Sequence, residues 1–136
     1  MKVGVDVRIL AAGGRTGVED YTINLLSHLL TADESIKYRL FYSGIRKPNF
    51  DFFELKAPNV KIKSLKVPNK ILTLFLRLLR LPKLDKILGN VDIFLNPHFL
   101  VGPVSKGTKT IIVFYDLSFV RFPKFFSLRK LFCQLK

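Results

Sequence analysis

The amino-acid sequence predicts an α/β protein with a Rossmann-like, mostly parallel sheet and flanking helices. Three observations carry this prediction. Apolar runs of strand length alternate with stretches of helical period, as they do in β/α units. The runs at 91–95 and 109–114 are almost continuously apolar, which is typical of strands buried on both faces of a parallel sheet. A length of 136 residues with 49% hydrophobic residues indicates one domain with a sizeable core.

The elements follow in order along the chain. Alternating β-branched and apolar residues predict strands, glycines predict a loop, and apolar spacings of three and four predict helices. The predicted elements are a strand at 3–9, a glycine-rich loop at 13–17, a helix from Val18 to Asp33, strands at 38–42 and 60–65 with a proline-containing loop at 45–59 between them, a helix at 70–81, a short helical turn at 83–88, and the strands at 91–95 and 109–114.

The two helical segments nearest the C-terminus have unusual features. The helix at 70–81 is mostly apolar and carries a narrow basic ridge of Lys70, Arg77 and Arg80, and Pro82 ends or kinks it. A helical pattern at 128–135 continues to the last residue without a stop signal. This pattern predicts that the chain stops within an element, with a natural terminal helix as the alternative.

The charge is concentrated in one part of the chain. Residues 1–54 hold 7 Lys/Arg and 7 Asp/Glu, whereas residues 55–136 hold 16 and 3 and therefore carry the whole net charge of +13. This asymmetry predicts an anionic partner: lipid head groups, a phosphorylated substrate or a nucleic acid.

The one cysteine, Cys133, allows no internal disulfide, and no uncharged stretch reaches the ~18 residues of a membrane span. We expect a cytoplasmic chain.

Three loops are expected to share one edge of the sheet, because ligands of open α/β sheets bind beyond the carboxyl ends of the strands. They are the glycine loop at 13–17, the segment 96–98 and the segment 115–118. The glycine loop and the helix after it suit a phosphate or a sugar hydroxyl, although the spacing matches neither a dinucleotide fingerprint nor a P-loop. Asp116 follows an apolar strand, where it either bonds a hydroxyl or caps the next segment. His28 is interpreted as structural, and the role of His98 is open.

Four segments carry a family resemblance: the opening strand at 3–10, the glycine loop running into 21–26, Asp-Ile-Phe-Leu-Asn-Pro-His-Phe at 92–99, and Tyr-Asp-Leu-Ser-Phe-Val-Arg-Phe-Pro at 115–123. In this order they resemble the N-terminal half of family 4 (group 1) glycosyltransferases of the GT-B fold. The last segment is the most specific, and the resemblance covers nearly the whole of residues 1–136.

The resemblance implies a retaining transferase that moves a sugar from a nucleotide-diphosphate donor to a hydroxyl of a polysaccharide or lipid-linked acceptor. Neither a metal nor another cofactor is implied, and the reaction lies between two Rossmann-like halves, of which this one mainly supplies the acceptor side. The resemblance places Asp116 and Tyr115 at the reaction centre. It places the donor diphosphate or the transferred sugar near Gly14, Thr16 and Gly17. The loops expected at this edge of the sheet add Gly13, Asn96 and His98 as candidate residues for binding the substrate or the donor phosphates.

Two departures from the family pattern change these expectations. Tyr115 stands where the family usually has histidine, and a phenol with a pKa of about 10 is a poor proton shuttle at pH 7, so we expect an altered substrate or lower activity. The donor-binding half with its Glu-x7-Glu motif is absent from the sequence. We therefore expect a truncated, inactive fragment that needs its C-terminal half or a separate complementing chain. A non-functional remnant is the alternative.

The basic helix suits a family whose members often act at membranes. Lys70, Arg77 and Arg80 are accordingly predicted to contact the inner face of the membrane peripherally, with a helix packed on the sheet and solvated arginines as the alternative. A different function is also open: a small basic α/β module for RNA or anionic membranes. No RNA-recognition consensus is present, so no nucleic-acid partner is expected.

Overall fold

The core of the structure is one parallel sheet. The computed structural model describes residues 1–12, 16–45, 58–98, 101–122 and 124. In these residues the strands are β1 (Lys2–Asp6), β2 (Lys37–Ser43), β3 (Val60–Leu65), β4 (Ile93–Asn96) and β5 (Lys109–Ile112). They lie in the order β3-β2-β1-β4-β5, and every neighbouring pair is parallel. This is the strand order of a Rossmann sheet, so the predicted fold class is confirmed.

Helices cover both faces of this sheet. In the described ranges they are α1 (Gly17–Ala32), α2 (Asn69–Leu78), α3 (Leu84–Ile87) and α4 (Ser118–Arg121), with a 3₁₀ turn at Arg8–Ala12. The helix predicted from Val18 to Asp33 and the turn predicted at 83–88 are confirmed as α1 and α3.

The sheet separates two apolar layers, and alternation along the strands divides the side chains between them. Leu40 and Leu95 point to the layer that packs with α1, whereas their neighbours Phe41 and Phe94 point to the layer under α2 and α3. The buried members of the first layer are Val3, Val5, Val7, Leu26, Leu30, Tyr38, Leu40, Tyr42 and Leu95. Those of the second are Phe41, Leu72, Leu76, Leu84, Leu88, Val91 and Phe94.

The first strand is shorter than its apolar run predicts. The alternation suggests a strand through residue 9, but β1 ends at Asp6 and Arg8 already begins the 3₁₀ turn. The backbone N–H of Arg8 donates to Oδ1 of Asp6 over 3.1 Å, and the N–H of Val7 still donates to the carbonyl of Phe41 over 2.8 Å. A side-chain bond to the backbone two residues on favours a turn over further strand, and this bond ends β1.

The basic helix is also shorter than predicted. α2 ends at Leu78, and the N–H of Leu79 donates to the carbonyl of Phe75 as the last helical bond. Arg80 has a φ of 52°, in the left-handed region, so the chain has left the helix before Pro82. The predicted ridge is therefore divided: Lys70 and Arg77 lie on α2, and Arg80 lies in the connection to α3.

The last described strand differs from the prediction in its burial. The apolar run at 109–114 suggests a strand covered on both faces, but β5 is mostly exposed, and Ile111 is half exposed. β5 forms an edge of the described sheet and pairs with β4 alone. The segment 128–135, Cys133, and the glycines Gly13 and Gly14 lie outside the described residues.

Candidate functional site

The candidate site is the carboxyl edge of the sheet at β1 and β4. The chain runs from β1 to β2 on one side and later places β4 on the other, so the strand order reverses between β1 and β4. Ligands of such sheets bind in the crevice beyond this reversal. Asp6 and Arg8 follow β1 here, and Asn96 and His98 follow the apolar residues of β4. Tyr115 and Asp116 lie on the loop after β5.

A buried ionic cluster occupies the end of β1. The Asp6 carboxylate accepts from Nε of Arg8 at 2.9 Å to both oxygens and from Nη2 at 2.6 Å, which is bidentate geometry. Nε2 of His98 lies 3.4 Å from Oδ1 of Asp6, and the guanidinium lies 5.8 Å from the centre of the Phe41 ring. Asp6, Arg8 and His98 are all buried. The cluster ties the loop after β4 to the end of β1.

The Asp6 carboxyl is held in its charged form. Burial by itself would raise its pKa, but the positive charge and hydrogen bonds of Arg8, with the nearby imidazole of His98, outweigh burial, so the pKa lies well below its usual value. The sequence analysis does not identify this pair, because the pattern at 3–9 is read from the apolar residues alone. The usable signal is an acid and a base two residues apart where the strand ends.

Asn96 is fully buried beside this cluster at the end of β4. Its side-chain oxygen and nitrogen both lack a hydrogen-bond partner among the described residues. A buried amide without partners costs folding free energy, and such groups in native proteins often serve a function. Asn96 and His98 thus lie at the predicted edge of the sheet, but as buried groups and not as part of an open surface.

We expect Asn96→Leu to raise the free energy of unfolding by about 1–3 kcal/mol, because it replaces two unpaired polar atoms with an apolar side chain of similar size. Urea denaturation followed by circular dichroism measures the change. Asn24→Leu, at an exposed position of α1, is the control and should move stability by less than about 0.5 kcal/mol. A loss of stability in Asn96→Leu would contradict the prediction.

The N-terminus of α1 is capped by the side chains of Thr16 and Glu19. Oγ1 of Thr16 accepts from the N–H of Val18 at 3.4 Å, and the Glu19 carboxylate accepts from the N–H of Thr16 at 3.0 Å and from its hydroxyl. This is a capping box, which the spacing Thr-x-x-Glu predicts and sequence reasoning overlooked. Thr16 and Gly17 are exposed. Because Glu19 places a negative charge here, the helix start attracts a phosphate less than a bare N-terminus would.

Tyr115 joins three segments of the candidate site. Its hydroxyl donates to the carbonyl of Pro97 over 2.5 Å, and its ring contacts Tyr21 of α1 edge to face, with 5.1 Å between the ring centres. The loop after β5, the loop after β4 and α1 therefore meet at Tyr115. Its side chain is 40% exposed, so one side of the phenol remains accessible.

The Tyr115 hydroxyl keeps its proton at neutral pH. Burial raises its pKa above the usual value, Tyr21 and Glu19 add to the rise, and a hydrogen bond with Thr22 opposes it. The proton is directed to the Pro97 carbonyl, so the lone pairs of the oxygen are what a ligand would meet. A hydrogen bond donated by Tyr115 to a sugar would therefore replace this existing bond to Pro97.

Tyr115→Phe should lower the free energy of unfolding by about 1–2 kcal/mol, because it leaves the carbonyl of the buried Pro97 without this donor. A urea melt measures the loss. Tyr21→Phe keeps the edge-to-face ring contact and is the matched control, with little expected change. Equal losses in both variants would show that the hydroxyl of Tyr115 has no special role.

Asp116 is exposed and forms a local turn. Its Oδ1 accepts from the N–H of Ser118 at 2.6 Å and its Oδ2 from the Ser118 hydroxyl at 2.5 Å. These bonds lower the pKa of the carboxyl, so it stays ionised into the acid range. The alternative in which Asp116 caps the next segment thus has a geometric basis, since Ser118 begins α4. An exposed charge remains available to a ligand as well.

The other predicted residues lie elsewhere. Lys70 and Arg77 are exposed on α2 and Arg80 follows it, so none of them belongs to the loops that carry His98 and Tyr115. His28 is exposed, and its Nδ1 lies 2.8 Å from the carbonyl of Asn24, a local contact within α1.

Neither a group of metal-binding side chains nor a membrane-spanning helix is found among the described residues. No group of three or more histidine, cysteine, aspartate or glutamate side chains is arranged to hold a metal ion there. None of the helices in the same part of the chain has the length and apolar character needed to cross a membrane. In comparisons with known proteins, no family model, no curated protein and no solved structure matches this chain.

Proposed function

We propose that the chain is the acceptor-side part of a retaining glycosyltransferase that moves a sugar from a nucleotide-diphosphate donor to a hydroxyl of a polysaccharide or lipid-linked glycan. The main support is the meeting of three segments at Tyr115. The bond to the Pro97 carbonyl and the ring contact with Tyr21 join the same segments on which the family resemblance depends. The exposed carboxylate of Asp116 follows directly in the chain.

The proposed reaction at this edge of the sheet replaces one bond of the anomeric carbon with another. The bond between the anomeric carbon and the diphosphate oxygen breaks, and a bond to the acceptor oxygen forms on the same face of the sugar. The diphosphate oxygen leaves with the electron pair of the broken bond, and it takes the proton that the acceptor hydroxyl loses. Asp116, ionised at neutral pH, stabilises the positive charge that develops at the anomeric carbon. The charge of a carboxylate, and not its ability to take a proton, is what this role requires.

The partners follow from this role. The donor is a nucleotide sugar, no metal is required, and a second Rossmann-like half, linked or separate, binds the nucleotide. The reaction takes place on the cytoplasmic side of a membrane, where nucleotide sugars and lipid-linked acceptors meet.

The test begins with the coding DNA beyond the codon for Lys136. The chain is produced together with the β/α half found there, or with a separately encoded half that carries Glu-x7-Glu. Transfer from labelled nucleotide-diphosphate hexoses to extracted glycan acceptors is measured, and magnetic resonance gives the anomeric configuration of the product. Transfer with retained configuration supports the proposal. Inverted configuration, no transfer from any such donor, or a stop codon with no complementary half would overturn it.

A further inference from the structure

The outward face of α2 is apolar, which is the reverse of an ordinary surface helix. Leu72 and Leu76 pack into the core, whereas Ile71, Leu74 and Leu78 form a stripe on the other side and are exposed. The spacing of three and four residues places the latter on one line along the helix. Leu78 is 72% exposed. A surface helix normally turns such a stripe to the core and charges to water, so this stripe requires a partner.

The apolar surface extends beyond the stripe. Phe75 on the helix and Leu79 and Leu81 after it are also about half exposed or more. We call the set Ile71, Leu74, Phe75, Leu78, Leu79 and Leu81 the α2 face. Six large apolar side chains are thus exposed within eleven residues, which is a concentration of apolar surface and not a set of scattered single residues.

Basic side chains flank this face. Lys70 and Arg77, seven residues apart, lie on the same side of the helix, and Arg80 and Lys83 follow it. Residues 58–84 hold seven Lys/Arg and no Asp or Glu. The next acid, Asp85, is buried and accepts from the N–H of Ser105 over 2.9 Å. The charged side chains of residues 58–84, which include those on α2 and directly after it, are therefore all of one sign.

We propose that the α2 face docks on a lipid bilayer that contains anionic lipids, with its apolar side chains among the acyl chains and the flanking cations at the head groups. Apolar burial together with basic residues at its border is what interfacial helices use. The inference extends the expectation for Lys70, Arg77 and Arg80 and adds the apolar side chains that enter the membrane. It does not depend on glycosyl transfer.

The charge and the side-chain chemistry favour a bilayer over other occupants. A second copy would bring together two surfaces of the same positive sign, because residues 55–136 carry the whole net charge of +13. A nucleic acid would match the charge but would leave the leucines and Ile71 without a suitable partner, since single strands stack on aromatic rings. An anionic bilayer satisfies both the cations and the aliphatic side chains.

The absence of tryptophan from the chain provides a direct test. Leu78→Trp places a single tryptophan in the full 136-residue chain on the α2 face. Ile45→Trp places one at a position that is also exposed, at 82%, two residues after the end of β2. On addition of vesicles of phosphatidylcholine with phosphatidylserine, we expect a blue shift of the emission for Leu78→Trp and none for Ile45→Trp. Equal shifts at both positions, or no shift at position 78, would overturn the proposal.

Flotation with the same vesicles measures the contributions of the apolar and the basic side chains to binding separately. Leu78→Ser should weaken binding roughly tenfold, and Ile45→Ser should not. The pair Lys70→Gln and Arg77→Gln should weaken binding about 30-fold at low salt, which corresponds to about one kcal/mol for each charge, and less in high salt. Lys37→Gln with Lys109→Gln makes the same charge change at the amino ends of β2 and β5 and should leave binding within about twofold.

Other occupants would give different results. If Leu78→Ser converts a dimer to a monomer in size-exclusion chromatography and the unmodified chain does not bind vesicles, the partner is a second copy and the proposal is overturned. The proposal is also overturned if the unmodified chain binds RNA but not vesicles and Leu78→Ser leaves the RNA binding unchanged. None of these readouts involves sugar transfer. The glycosyltransferase proposal can therefore fail while the membrane proposal holds, and the membrane proposal can fail while the glycosyltransferase proposal holds.

Discussion

Asp6→Ala is expected to lower the free energy of unfolding by about 3–5 kcal/mol, measured by urea denaturation followed by circular dichroism. The Asp6 carboxylate binds Arg8 through both of its oxygens, and both side chains are buried. Removal of the carboxylate leaves a guanidinium in the protein interior without its counter-charge. The loss is large for this reason and not because the pair itself stabilises the fold strongly.

The controls distinguish these two causes. The double variant Asp6→Leu with Arg8→Met removes both charges and should recover most of the stability, because nothing charged then stays buried. Asp33→Asn changes an exposed aspartate that also bonds the N–H of the serine two residues on, and should cost less than about 0.5 kcal/mol. If the double variant is as unstable as the sum of the single variants, the explanation is wrong.

The dependence of stability on pH gives an independent check on Asp6. Its pKa is lower in the folded chain than in the unfolded chain, so the folded state binds fewer protons in acid. The contribution of Asp6 is complete above its unfolded pKa of about 3.9 and decreases as the pH falls below that value. The double variant should lose less stability between about pH 5 and pH 2 than the unmodified chain. If the free energies of unfolding of the two proteins fall in parallel as the pH decreases, this expectation is wrong.

The sequence predicted the elements of this fold well because local and tertiary preferences agree in most of them. Leu26 and Leu30 lie four residues apart on the predicted helix, and both are buried in α1. The strands at 38–42 and 60–65 are found as β2 and β3 because their apolar residues fit a parallel sheet. The helix boundary at Leu78 was not predictable from apolar spacing, because residues 79 and 81 are apolar as well but lie outside the helix.

The site was predicted less completely, for a physical reason. Sequence reasoning placed Asn96 and His98 at the right edge of the sheet, because β4 ends there. It did not find that His98 contacts Asp6, 92 residues away in sequence, since this contact depends on β4 lying beside β1. The bond from Tyr115 to Pro97 likewise depends on the pairing of β5 with β4. Long-range contacts follow from strand order, which local patterns do not encode.

The largest functional effect is expected from Asp116→Asn. In the proposed glycosyltransferase, this change should lower transfer about a hundredfold or more, because the asparagine carries no charge to stabilise the anomeric carbon. The fold should remain intact, since the amide oxygen can still accept from the N–H of Ser118 as Oδ1 does now. Transfer is measured with the chain assembled with its donor-binding half, and a urea melt verifies that stability is unchanged.

Asp33→Asn is the matched control for Asp116, because the two positions share the same local chemistry. Each carboxylate is exposed and accepts from the N–H of a serine two residues on, at 2.8 Å for Asp33 and 2.6 Å for Asp116. Both variants remove one negative charge and preserve the turn. If Asp116 acts at the reaction centre, only Asp116→Asn loses transfer. If Asp116 serves only as a turn residue, the two variants behave alike, and the role proposed for it is wrong.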